Sequence, residues 1–324
     1  MVFGFGKPKL VKETQATGEI ESVYHEIKQS MRVSGINLNF RTWAGFAKFF
    51  PAMWDAMRPL VETRAFEHAA DEIRRESVGF AGKLGKIEAK SKVHLGESQK
   101  YQIIKALELY HYINPKLLVF TSNVKKALED ESQEAIQAAQ NTEPIERGIP
   151  LKMYPMEMVA EDPEDERLAK IFEDIKETLS LSSINSDYRT LGLWADYLEA
   201  AWNQLKPIVQ TDEYKNASDN LRTAAQNLAS RFPAIALSKK QVEDLGEDAD
   251  EILKTTEKFE RLLPSLIINI SLLSLEWKRA KNFSNRRFPS KRETSFKKVR
   301  VNDLERFSSD AKGRGNRRAI CQLR

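Results

Sequence analysis

The amino-acid sequence predicts an all-α fold made of two tandem helical repeats that form an intramolecular pseudo-dimer. The first observation behind this prediction is an internal repeat with an offset of 148 residues, and the second is helical spacing of apolar residues in both copies. The third is that neither copy contains a convincing run of alternating β-branched residues, the pattern typical of strands.

The internal repeat is continuous over 51 aligned positions, of which 16 are identical. It begins where YHEIKQSMRVSGINLNFRTW, starting at Tyr24, aligns with FEDIKETLSLSSINSDYRTL, starting at Phe172. It continues without a gap to Arg74 in the first copy and Arg222 in the second. A similarity of this length without gaps indicates a duplication within the chain.

The first helix of each copy is predicted from apolar residues spaced four, three and four positions apart. A helix brings such residues onto one face, so each set forms a single apolar stripe that a core can cover. The residues are Ile20, Tyr24, Ile27 and Met31 in the first copy and Leu168, Phe172, Ile175 and Leu179 in the second.

A long apolar helix is predicted near the end of each copy, and a proline interrupts each pattern. In the first copy the helical pattern runs into Asn114-Pro115 and then resumes, so we expect a break in the helix there. In the second copy Pro264 matches Pro115 after a one-residue slip.

The stretch between the copies is rich in proline and glycine, which indicates an irregular linker. We therefore divide the chain into a first repeat, a linker, a second repeat and a basic tail. Their respective bounds are 15–140, 141–163, 164–282 and 283–324.

Charge is unevenly distributed along the 324 residues, whose formal net charge is +4. Residues 278–324 contain 16 basic and 4 acidic residues, a net +12, so the remainder of the chain is net −8. The basic tail suits contact with nucleic acid or another anionic partner. A disordered extension without a defined partner is favoured, because aromatic residues are sparse and no nucleic-acid-binding motif accompanies the charge.

The composition, 41% hydrophobic and 30% charged, is typical of a soluble globular protein. A single cysteine, Cys321, excludes a disulfide framework and suits a reducing compartment. The most apolar stretch, from Leu262 to Trp277, is shorter than the roughly 20 residues that a membrane span needs. We therefore expect a cytoplasmic protein without membrane contact.

Candidate functional residues are those at which the two copies differ. Asn39 and Asp187 occupy equivalent positions before a new helical pattern, one with a neutral amide and the other with a carboxylate. Both could simply be N-caps, because Asn and Asp are favoured there. The alternative is that Asp187 acts as a base or a nucleophile at the interface between the repeats.

Two further positions show the same kind of asymmetry. Thr63 and Glu67 lie on one helical face, and their counterparts are Thr211 and Lys215, so the acidic member occurs only in the first copy. An ordinary helical surface explains this pair equally well. Asn114, at the expected break, could position a water molecule or merely begin a turn.

No metal or cofactor site is predicted. The four histidines show no metal-ligand spacing, and the sequence contains no phosphate loop and no nucleophile elbow.

The residues at 18–24, 114–116 and 186–188 resemble those of the non-stereospecific 2-haloacid dehalogenases, the group I enzymes that act on both D- and L-isomers. The resemblance runs from about residue 15 to 280 and includes the duplication. It implies an all-α pseudo-dimer with a buried site between the repeats. Gly35 departs from the family, which commonly has a bulky side chain in this segment, and the departure bears on substrate size.

The resemblance also implies roles for individual residues. Asp187 matches the catalytic aspartate, Asn114 the water-holding asparagine, and Thr63 and Glu67 the essential threonine and glutamate. The residues expected to bind substrate are Asn37, Leu38, Asn39, Ser186 and Tyr188.

The implied reaction is cofactor-free hydrolysis of short 2-haloalkanoic acids of either hand. Asp187 would take a proton from water, and the water would attack the α-carbon opposite the halogen to give an inverted 2-hydroxy acid. The residues alone leave direct attack by Asp187 open.

The competing hypothesis is a non-catalytic scaffold whose tail docks on an anionic partner. The expected ligand is a small 2-haloacid or a related carboxylic acid, and a homodimer is considered.

Overall fold

The computed structural model of the protein describes residues 10–129, 143–153, 155 and 157–279, which all belong to a unit spanning residues 1–287. The predicted basic tail at 283–324 lies outside the described residues.

The described residues form eleven α-helices and three short 3-10 helices. In the first half of the chain the α-helices are α1 (Gly18–Ser30), α2 (Leu38–Trp43), α3 (Phe49–Val61), α4 (Arg64–Leu84) and α5 (Glu97–Glu129). In the second half they are α6 (Glu166–Leu179), α7 (Ser186–Leu191), α8 (Ala195–Val209), α9 (Asp212–Ser230), α10 (Lys239–Asp244) and α11 (Ala249–Leu275). The 3-10 helices are Glu13–Gln15, Ala89–Ser91 and Gly192–Trp194.

The all-α prediction is confirmed. The described part of the chain contains no β-strand, and its one isolated bridge joins Thr63 to Pro144. Helices in the two halves share boundaries at the 148-residue offset: α2 and α7 agree at both ends, and α1 and α4 begin 148 residues before α6 and α9.

Individual contacts also recur at this offset. The indole of Trp54 donates to the Glu26 carboxylate at 2.8 Å, and that of Trp202 donates to the Asp174 carboxylate at 2.6 Å. Each pair ties the third helix of its half to the first. Because an indole donates to a carboxylate at equivalent positions, the two halves share one local packing arrangement.

The end of the predicted linker makes a backbone hydrogen bond that also recurs at the 148-residue offset. The amide of Val159 donates to the carbonyl of Arg189 at 3.2 Å, and the amide of Val11 donates to that of Arg41 at 3.0 Å. Positions 11 and 159 are again 148 residues apart. Residues near 159 therefore pair with α7 as the N-terminal segment pairs with α2.

The centre of the described structure is the pair of long helices α5 and α11, which pack against each other and against α4 and α9. Almost every side chain of α5 from Ile103 to Val124 is buried. The set includes polar side chains, which a buried environment tolerates only when they are hydrogen-bonded. The polar residues of α5 are consequently the first place to look for function.

The expected break at Asn114-Pro115 is wrong, because α5 continues through both residues. Proline has no backbone N–H, so Pro115 cannot donate to the carbonyl of His111 one turn earlier. The guanidinium of Arg74, on α4, takes that place: its Nε donates to the His111 carbonyl at 3.0 Å. A partner from another helix thus replaces the bond that proline removes.

Among the described residues, none of the helices is both long enough and apolar enough to cross a membrane.

Candidate active site

Asp187 lies in the first turn of α7 and is buried, with 4% of its surface exposed. The N-cap of α7 is Asn185, and the N-cap of α2 is Asn37, so the capping interpretation of Asp187 and Asn39 is wrong by two residues. Both lie inside their helices, where their side chains are available for tertiary contacts. The side chains therefore need partners elsewhere in the fold.

The partner of Asp187 is Asn114. The amide Nδ2 of Asn114 donates to Oδ1 of Asp187 at 2.8 Å, and both residues are buried. This hydrogen bond joins α5, in the first half of the chain, to α7, in the second. Two of the residues selected from the sequence are thereby in direct contact across the two halves.

Burial sets the protonation behaviour of Asp187. Removal from water disfavours the carboxylate and raises the pKa of Asp187 to about 6, while the hydrogen bond from Asn114 acts in the opposite direction. Asp187 is still mostly ionised at neutral pH. It is also a stronger base than an exposed aspartate, as general-base catalysis near neutrality requires.

Tyr110 of α5 fastens the start of α7 beside Asp187. Its hydroxyl lies 3.1 Å from the carbonyl of Ser186 and 2.7 Å from Oγ1 of Thr190. Burial and the negative charge of Asp187 raise the pKa of Tyr110 well above its usual range, so the hydroxyl stays protonated. Ser186 thus contributes its backbone carbonyl to this contact.

Tyr188 belongs to a buried polar chain in the second half of the molecule. Nδ2 of Asn269 donates to the Tyr188 hydroxyl at 2.8 Å, and the Tyr214 hydroxyl donates to Oδ1 of Asn269 at 2.7 Å. Sequence reasoning missed Asn269 and Tyr214. Comparison of the copies could have found them, because the matching positions of the first copy are all apolar: Phe40, Phe66 and Phe120.

Glu67 forms a buried ion pair with Lys116, and each residue is 1% exposed. The ammonium of Lys116 also donates to the carbonyl of Met31 at 3.0 Å and to the hydroxyl of Tyr112 at 2.7 Å. Glu67 therefore reaches α5 two residues beyond Asn114. Sequence reasoning missed Lys116 and Tyr112, although a lysine within so apolar a helix is itself a signal.

Thr63 is the N-cap of α4. Its hydroxyl accepts from the amide of Phe66 at 3.2 Å and donates to the carbonyl of Leu60 at 2.7 Å. Thr211 makes the two equivalent bonds at the start of α9. The cap is thus common to both halves, and the structure gives Thr63 a local structural contact.

The remaining sequence-selected residues lie at the start of α2. Nδ2 of Asn39 approaches Oγ1 of Thr121 at 3.4 Å, whereas Asn37 and Leu38 are partly exposed. In the equivalent turn before α7, the buried Oδ1 of Asn185 has no hydrogen-bond partner within the described residues. Over the same residues, no cluster of His, Cys, Asp or Glu could hold a metal ion.

Comparison with known proteins finds relatives that are named as 2-haloacid dehalogenases. Residues 34–188 match the family described as "Halocarboxylic acid dehydrogenase DehI". An (R)-2-haloacid dehalogenase from Pseudomonas putida is 28% identical over 270 residues, which cover 81% of this chain and 90% of that protein. A configuration-inverting 2-haloacid dehalogenase from Pseudomonas sp. (strain 113) is 27% identical over 231 residues, covering 68% and 74% respectively.

The fold is also similar to that of solved 2-haloacid dehalogenase structures. A solved structure described as a complex of D-2-haloacid dehalogenase with L-LA superimposes with a TM-score of 0.76 at 27% identity, covering 83% of this chain and 95% of that one. Where these relatives' names specify an enantiomer, it is (R) or D, so the comparisons support a resemblance to 2-haloacid dehalogenases in general and not to the non-stereospecific group in particular. By sequence and by fold, the chain is similar to 2-haloacid dehalogenases, which are hydrolases that act on carbon–halide bonds.

Proposed function

We propose that the protein hydrolyses short 2-haloalkanoic acids to 2-hydroxy acids, with Asp187 as the general base and Asn114 as the group that orients the attacking water. The observation that carries the proposal is the buried 2.8 Å contact between Asn114 and Asp187. It pairs an acceptor whose pKa is about 6 with a neutral amide that fixes its orientation.

The reaction forms one bond and breaks one. Water loses a proton to Asp187 while its oxygen bonds to the α-carbon of the substrate, and the carbon–halogen bond breaks on the opposite side. The halogen leaves with the bonding electron pair as halide, and the proton later passes from Asp187 to solvent. Attack from the opposite side inverts the α-carbon, in keeping with the relatives named as configuration-inverting.

The stereochemical range of the proposal covers both enantiomers. Water held by Asp187 needs only an unobstructed approach opposite the halogen, a requirement that either hand meets when the site accepts the alkyl group on both sides. The relatives named for the (R)-acid make that enantiomer the first to assay. Turnover of the (R)-acid alone would restrict the range without changing the reaction.

The other selected residues have supporting roles in this proposal. Glu67 forms an ion pair with Lys116 and so supports α5, the helix that carries Asn114. Thr63 is the N-cap of α4, the helix that carries Glu67. The substrate is proposed to contact the first turns of α2 and α7. The residues concerned are Asn37, Leu38, Asn39, Ser186 and Tyr188.

The test is halide release from (R)- and (S)-2-chloropropionate by the wild type and by Asp187→Asn. We expect the substitution to lower kcat by about a thousandfold, since general-base catalysis contributes 10²–10⁴-fold. Asp219→Asn, which changes an exposed aspartate of α9, is the matched control and should retain activity. Wild-type turnover that survives Asp187→Asn would refute the role of Asp187.

A single turnover in ¹⁸O-labelled water separates water attack from an ester intermediate. Label in the 2-hydroxy acid supports the proposal. Label in the side chain of Asp187 would show that Asp187 is the nucleophile and that water attacks a covalent intermediate.

A further inference from the structure

Arg74 is a fully buried arginine of α4 whose guanidinium binds the backbone of α5. Nε donates to the carbonyl of His111 at 3.0 Å, and Nη2 donates to the carbonyl of Tyr112 at 3.1 Å. Nη1 pairs with Asp71 one turn earlier on α4. The side chain thus joins its own helix to two successive carbonyls of α5.

These carbonyls belong to the helical turn that carries Asn114. Because Pro115 has no N–H, the carbonyl of His111 lacks its usual donor, and the helix is weakened next to Asn114. An unsatisfied buried carbonyl would favour a kink at this point. Arg74 satisfies the carbonyl and keeps this turn of α5 in place against α4.

The second half of the molecule contains a matched arginine without this contact. Arg222 occupies the position equivalent to Arg74, and its guanidinium pairs with Asp219 at 2.8 Å while remaining partly exposed. The residue of α11 that matches Asn114 after the one-residue slip is Leu263, which has no amide to orient. The buried arginine clamp therefore occurs in the half that carries Asn114.

We propose that Arg74 is a positioning residue for the dehalogenation reaction: by replacing the hydrogen bond that Pro115 removes, it holds Asn114 in contact with Asp187. This inference rests on the proposed function, because it assigns Arg74 to the same site. It predicts that restoring an N–H at position 115 makes Arg74 dispensable. Pro115→Ala does so, since the alanine amide can donate to the carbonyl of His111.

The first experiment is a thermal-unfolding cycle of the wild type, Arg74→Gln, Pro115→Ala and the double variant. Arg74→Gln should lower Tm by several degrees, and adding Pro115→Ala should recover most of the loss. Arg222→Gln is the control and should leave Tm nearly unchanged. A double variant no more stable than Arg74→Gln would overturn the assigned contact.

The second experiment separates positioning from simple stabilisation. At a temperature where all variants are folded, Arg74→Gln should lower kcat about tenfold to a hundredfold with little change in KM, because small displacements of a positioned group have effects of that size. The double variant should return to within about threefold of the wild type by the same reasoning. Arg222→Gln should leave kcat unchanged.

The pH profile gives a signature that loss of stability does not. The hydrogen bond from Asn114 lowers the pKa of Asp187, so its loosening should move the acid limb of kcat/KM to higher pH in Arg74→Gln. An Arg74→Gln enzyme with a lowered Tm but an unchanged kcat and acid limb would show that Arg74 is merely structural.

A readout independent of turnover keeps this inference separate from the proposed function. The Asn114 side-chain amide signal, assigned by its loss in Asn114→Ala, should respond to the titration of Asp187 in ¹⁵N-labelled wild type. The response should weaken in Arg74→Gln and return in the double variant. If the wild type releases no halide, the proposed function fails, and an undiminished response in Arg74→Gln would still refute the positioning role.

Discussion

Asn39 and Asp187 occupy equivalent positions in α2 and α7, yet their side chains have different partners. Asn39 approaches Thr121 near the C-terminal part of α5, whereas Asp187 accepts a hydrogen bond from Asn114 in its middle. One long helix therefore contacts both members of the pair. The carboxylate of Asp187 thus differs from the amide of Asn39 in its surroundings as well as in its charge, because α5 places the amide of Asn114 against it.

The pH dependence of turnover should follow the protonation of Asp187. Burial raises the pKa of Asp187 to about 6, and only the ionised form can accept a proton from water. We expect kcat/KM to be constant well above pH 6 and to fall about tenfold per pH unit well below it. Initial-rate measurements between pH 4.5 and 8.5 test this. An acid limb centred near 4 would contradict the raised pKa.

The same burial should make Asp187 a source of instability at neutral pH. A pKa raised from 3.8 to about 6 on folding favours the protonated native state, so stabilisation present below pH 3.8 is lost as pH rises through 6. Relative to Asp187→Asn, the wild type should lose about 3 kcal/mol of unfolding free energy between pH 3 and pH 7. Urea unfolding of both proteins across this range measures the difference. Parallel stability curves would refute the prediction.

The buried ion pair should be costly to break from one side. Lys116→Met leaves the carboxylate of Glu67 buried without its ammonium and should cost about 3–5 kcal/mol of stability. Glu67→Gln combined with Lys116→Met should recover part of that loss, since no buried charge remains. The exposed pair of Lys215 with Asp212 supplies the control, and Lys215→Met should change stability by less than about 1 kcal/mol. Denaturant unfolding measures all three variants.

A second carboxylate at position 39 should not create a second active site. Asn39→Asp would bury a charge beside Thr121, and the α11 residue that matches Asn114 is Leu263, which cannot hydrogen-bond to a carboxylate or to water. We expect a loss of about 2 kcal/mol or more in stability and no gain in kcat. Asn227→Asp, an exposed site on α9, is the isosteric control. A rise in kcat for Asn39→Asp would show that the halves are chemically equivalent.

The helices could be predicted from the sequence because they depend on short-range spacing, and the candidate residues could be selected because the two copies can be aligned. Apolar spacing placed the first helices, and comparison of the copies selected Asp187, Asn114 and Glu67. Local rules failed where a distant residue intervened. The expected break at Pro115 does not occur: α5 continues through it, and Arg74 of α4 donates to the carbonyl that proline leaves without a donor.

Helical periodicity and residue identity are properties of the chain alone, so an all-α fold and the positions at which the two copies differ could be predicted without the structure. Which of these residues come into contact depends on the tertiary structure. Asn114 and Asp187 are 73 residues apart and Glu67 and Lys116 are 49 apart, and only packing around α5 brings each pair into contact. The raised pKa of Asp187 is likewise a tertiary property, because it arises from the exclusion of water by helices distant in sequence.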